Sequence, residues 1–77
     1  MNIDLADITL HVDETLDAAG QAQLEQAFRQ RDGVVSVHVN PKHAHLFVLE
    51  YNPERLNSKD LLKIVEDQGM HAELVGL

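Results

Sequence analysis

Five histidines in a chain of 77 residues, His11, His38, His43, His45 and His71, are the side chains best suited to chemistry here. Neutral imidazoles suit Zn(II), Ni(II) and Cu(II), and two of them with a carboxylate such as Asp13 or Glu73 make a modest site. His43 and His45, spaced around one alanine, also read as ordinary polar turn residues. Cysteine is absent, which excludes a thiolate metal site, a disulfide framework and a thiol nucleophile. The hydroxyls of Thr9, Thr15, Ser36 and Ser58 lack a base with its orienting partner, and no Gly-rich phosphate loop occurs. Glu54, Asp60, Glu66 and Asp67 read as solvated helix charges. The expectation is a protein that is not an enzyme and holds no resident cofactor.

Charge narrows the partners. Thirteen acidic against six basic residues give a formal charge of −7, which disfavours phosphate-backbone binding. Two Phe and one Tyr are too few for a base-stacking platform, so nucleic acid is not an expected partner. No apolar run approaches the ~18 residues of a membrane span, and Met1-Asn2-Ile3-Asp4 lacks the basic start of a signal peptide. Cytoplasmic residence without membrane contact is the default. Residues 1–77 read as one domain, small enough to bury only about 60% of its unfolded surface.

The elements follow from hydrophobic period and breakers. Ile8, Leu10 and Val12 alternate with Thr9, His11 and Asp13, predicting a strand over 6–12. Asp13, Thr15 and Asp17 are capping candidates for a helix running to about Arg31, with a thin stripe of Leu24, Ala27 and Phe28. Asp32-Gly33 stops it, and Val35, Val37 and Val39 alternate as a second strand. Asn40-Pro41-Lys42-His43 is turn chemistry. In the third strand His45, Phe47, Leu49 and Tyr51 share one face, and Leu46, Val48 and Glu50 the other. Asn57 or Ser58 caps a helix over 58–68 with a stripe of Leu61, Leu62, Ile64 and Val65, closed by Gly69. Met70, Ala72 and Leu74 alternate as the last strand.

The order β-α-β-β-α-β is a ferredoxin-like α+β sandwich: an antiparallel sheet in the order 4-1-3-2 with both helices on one face. Its core face carries Ile8, Leu10, Val12, Val35, Val37, Val39, Phe47, Leu49, Tyr51, Ala72 and Leu74. The topology brings all five histidines toward one end of the sheet. By parity His11, His38 and His71 project from the face away from the helices, with His11 and His71 nearly side by side.

That open face also carries Leu46 and Val48 on a central strand, with Val75 and Leu77 on the edge. A solvated antiparallel face should read polar, so apolar residues there point to a cover: a dimer mate or a partner protein. The flanking histidines would make such a contact pH-sensitive between roughly 5 and 7.

Asp32-Gly33-Val34, Tyr51-Asn52-Pro53-Glu54 and Gln68-Gly69-Met70-His71-Ala72-Glu73-Leu74 together resemble the heavy-metal-associated domains over about residues 7–75. That family includes copper chaperones, mercury-binding proteins and the N-terminal modules of metal-pumping ATPases. Its metal motif, Met-Thr-Cys-x-x-Cys, opens the first helix. Counting back from Gly33, the resemblance puts the two cysteines on Asp17 and Gly20, the threonine on Leu16, and a family glycine on Glu14. Asp17 is a hard oxygen ligand and Gly20 has no side chain, so the thiolate site is lost. The function expected is a non-catalytic interaction module that binds protein through the face of Leu46, Val48 and Val75, or that self-associates. The alternative is a metal-handling protein whose ligands for Zn, Ni or Cu(II) are His11, His71 and His38. A small ligand-sensing module is a third reading, for which the sequence offers no specific pocket.

Overall fold

The computed structural model describes residues 4–40 and 42–75; Pro41 of the expected turn and Leu77 of the expected contact face lie outside them. The elements are β1 (Ala6–Val12), α1 (Ala18–Arg29), β2 (Val34–Asn40), β3 (His43–Tyr51), α2 (Ser58–Asp67) and β4 (Ala72–Leu74). They form a four-stranded sheet in the order β2-β3-β1-β4, antiparallel at every pairing. This is the ferredoxin-like arrangement that the sequence predicts.

Local chemistry explains where each helix starts. Asp17, with extended backbone, caps α1 by accepting from the Gly20 amide. Asn57 caps α2 in a reciprocal box: its side chain accepts from the Asp60 amide, and the Asp60 carboxylate accepts from the Asn57 amide. Gly33 and Gly69 follow the helices with φ of 103° and 80°, left-handed values that glycine adopts without a Cβ clash. The first helix ends at Arg29 with Gln30 as its C-cap, two residues short of the expected end, because Arg31 already belongs to the turn into β2.

The core lies between the sheet and the two helices. Leu24 and Phe28 of α1 and Leu61 and Val65 of α2 pack with Leu10, Val12, Val37, Phe47, Leu49 and Tyr51. The rings of Phe28 and Phe47 meet at 6.1 Å in a tilted pair.

Two residues expected in the core are outside it. Val35 is 55% exposed, because a bulge breaks the β2–β3 register: Val34 opposes Tyr51 and Ser36 opposes Glu50, leaving Val35 extra. Val34 packs against the core instead. Leu74 is 46% exposed on the short edge strand β4. Conversely Leu56, in the loop before α2, is buried, although it stands in no periodic pattern.

Candidate functional site

Two regions gather the residues singled out from the sequence. One is the loop from β1 to α1, where the resemblance sets the family's metal. The other is the face of the sheet turned away from the helices.

In the loop, the two positions on which the resemblance sets cysteines are bonded to each other. The Asp17 carboxylate accepts from the Gly20 amide at 2.7 Å, satisfying an orphan donor at the helix N-terminus. Asp17 therefore works as a helix cap, and Gly20 offers no side-chain ligand. These residues do not fit a soft metal ion, which needs a pair of thiolates.

Glu14 anchors the same loop. Its carboxylate accepts from the His71 amide at 2.8 Å and pairs with His71 Nδ1 at 2.8 Å. Its carbonyl can only accept, so His45 donates to it through Nδ1, at 2.9 Å. One residue thus ties the loop to the starts of β3 and β4. Hydrogen bonding to His71 holds the Glu14 carboxyl below its ordinary range. The same bond, aided by the negative charge of Glu14, raises the His71 imidazole.

The histidines named as alternative ligands are divided among different neighbours. His71 precedes β4 rather than lying within it; its carbonyl accepts from the Asp13 amide at 2.8 Å, and its ring goes to Glu14. The position opposite His11 on β4 is Glu73, so the expected His11–His71 neighbourhood gives way to other pairs. His11 stacks on His45, centroids 5.7 Å apart, with its Nδ1 3.8 Å from Asp13 Oδ1. His38 stands opposite Val48 on β2. β3 lies between His38 and His11, which sets their strands roughly 10 Å apart across the sheet. Among the described residues no three His, Asp or Glu side chains converge to hold a metal ion. His43 is exposed at the start of β3.

The open sheet face is ordered in rows by the strand register. Asp7 of β1 opposes Glu50 of β3, and Ser36 of β2 lies on the far side of Glu50. The next row holds Thr9, Val48 and His38, and the Val75 amide bonds to the Thr9 carbonyl at 2.9 Å. The third row holds Glu73, His11 and Leu46. Val48 and Val75 are each 39% exposed and Leu46 is half-buried, so the middle of the face is partly apolar. Parity identifies these residues from the sequence. Glu14 and the Asp7–Glu50 pair escape it: Glu14 acts across 57 positions of chain, and the pair needs the strand register.

No helix among the described residues is long and apolar enough to cross a membrane. No family profile matches the chain, and no curated protein does. Solved structures do. Oxidized MerP from Ralstonia metallidurans CH34 superposes with a TM-score of 0.86 over 95% of this chain and 100% of its own, at 19% identity. The N-terminal domain of PacS from Synechocystis PCC6803 gives 0.79 over 92% and 98%, at 27% identity. The Cu(I)-loaded N-terminal domain of a potential copper-translocating P-type ATPase from Bacillus subtilis gives 0.84 over 95% and 90%, at 23% identity.

Proposed function

We propose that this chain, which has the fold of the heavy-metal-associated domains and none of their cysteines, is a non-catalytic protein-interaction module working through its open sheet face. The observation that carries this reading is the row of Thr9, Val48 and Val75 with Leu46 beside it: apolar surface at the centre of a sheet whose other face already covers the core. Loss of the metal site supports it, since a scaffold with Asp17 as a cap and Gly20 without a side chain has no means of carrying a soft metal.

Metal handling by His11, His71 and His38 is the competing reading, and it requires those three to leave their present neighbours and converge. An amide NMR titration with Zn(II), Ni(II) and Cu(II), run beside sedimentation of the same sample, separates the two. The interaction reading expects no saturable shifts at His11 and His71 at micromolar metal. Saturable shifts there, removed by His11→Ala with His71→Ala, would replace it with metal handling. Leu46→Asp with Val48→Asp should leave any metal response intact and abolish protein binding.

A further inference from the structure

The strands are one-sided in charge. None of the four carries Lys or Arg. Five of the six basic residues sit in helices or their flanking loops, Arg29, Arg31, Arg55, Lys59 and Lys63, and the sixth, Lys42, is in the β2–β3 turn. The outward strand positions instead carry Asp7, Glu50 and Glu73.

Two of these acids are placed against each other. Asp7 and Glu50 are direct cross-strand partners on one face, an arrangement that destabilises a sheet. Among the described residues, the side-chain hydrogen bond made to the pair is that of the Ser36 hydroxyl to Glu50 Oε1, at 3.2 Å. The ion pairs seen among the described residues, those of Arg55, Lys63, His11 and His71, go to other carboxylates. Two residues farther along lie Thr9, Val48 and Val75, and two farther again His11, Leu46 and Glu73. At about 3.4 Å per residue the acidic pair and Glu73 are roughly 14 Å apart along the strands, with the apolar row between them.

From this arrangement we infer that the open sheet face binds a basic protein segment: an extended stretch with an apolar centre and Lys or Arg about four residues apart on either side of it. Such a segment matches the spacing of acid, apolar row and acid, and it brings a counter-charge to the opposed Asp7 and Glu50. A second copy of this chain fits poorly, because it would set the same carboxylates against one another in a molecule of net charge −7. This inference rests on the reading of the face as a contact surface and adds the chemistry of what it contacts.

The test is an amide NMR titration with a short synthetic peptide Lys-Thr-Val-Thr-Lys, whose extended form sets Lys, Val and Lys on one face, compared with the peptide in which Glu replaces each Lys. Shifts confined to residues 7–11, 46–50 and 73–75 are expected with the Lys peptide alone. They should weaken at least about threefold as salt rises from roughly 50 to 500 mM. Asp7→Asn, Glu50→Gln and Glu73→Gln together should abolish them, as should Leu46→Thr with Val48→Thr, which keeps the β-propensity of the strand. If the charge variant binds as well as the parent while the Thr variant does not, the contact face stands and the basic partner is wrong. If neither peptide touches the face, or the Glu peptide binds equally, the inference falls; in the first case, with no dimer formed, the contact reading falls with it. A concentration-dependent dimer that the Thr variant dissolves would assign the face to a second copy instead.

Discussion

Asp17 and Glu14 show how single side chains take over a loop that, by resemblance, belongs to a metal. The Asp17 carboxylate on the Gly20 amide is a helix cap, and caps of this type are worth about 0.5–2 kcal/mol. Asp17→Ala should therefore lower stability by about 1 kcal/mol in urea denaturation, with the slope unchanged. A neutral result would mean that water serves the Gly20 amide equally well. Glu14 and His71 give a pH signature. The His71 imidazole is raised, so its contribution is complete below its unfolded value near 6.5 and fades as pH rises through the folded value. The Glu14 carboxyl is lowered, so its contribution is complete above its unfolded value near 4.5 and fades as pH falls through the folded value. The pair is thus at full strength between about pH 4.5 and 6.5. His71→Ala should lower the melting temperature most inside that window, with the gap to the parent narrowing on both sides. A gap independent of pH would remove the ion pair from the account. Of these contacts the cap is legible in the sequence, where Asp17 precedes an apolar stripe. Glu14–His71 is not, since no periodicity links residues joined only by the closing of the sheet.

Elements are set by their ends as much as by their stripes. Gly33 is held at φ 103°, and a Cβ there would lie 3.1 Å from the Arg55 Cβ and from Leu56. Gly69 is also left-handed, yet nothing lies within 4 Å of a Cβ built on it. Gly33→Ala should consequently cost more than Gly69→Ala: about 2–3 kcal/mol against about 1, from backbone strain alone in the second. Equal losses in a denaturation comparison would show that the loop of Arg55 and Leu56 yields freely. The same corner explains where reading the sequence succeeds and where it misleads. Asp32-Gly33 marks the break between α1 and β2, and the alternation of Val37 and Val39 gives the face of the strand correctly. Val35 continues that alternation on paper, but the bulge after Val34 turns it outward, and a bulge has no period to detect. Leu56 is buried beneath Gly33 without belonging to any stripe, so only the folded chain shows it.

At the scale of the whole molecule the decisive feature is the distribution of a −7 charge: cations around the helices and turns, none on the strands, and two carboxylates opposed on the open face. Self-repulsion of this kind weakens a compact state, and salt relieves it within a Debye length of about 10 Å at 0.1 M. Thermal stability should therefore rise as sodium chloride increases from about 50 to 500 mM. Asp7→Asn should reproduce part of that rise at low salt, because it removes one member of the opposed pair. A like-charge cross-strand contact is worth about 0.2–1 kcal/mol, less where water screens it, which in a chain of this length corresponds to roughly 1–6 °C in melting temperature. The parent and variant curves should converge at high salt, where the repulsion is already screened. A variant that melts lower than the parent at every salt would mean that Asp7 is stabilising in the free protein, and the face would then lose its reason to seek a cation. A variant that melts higher would show that the chain keeps a carboxylate pair at a cost to its own folding, which is what a surface built for a basic partner requires.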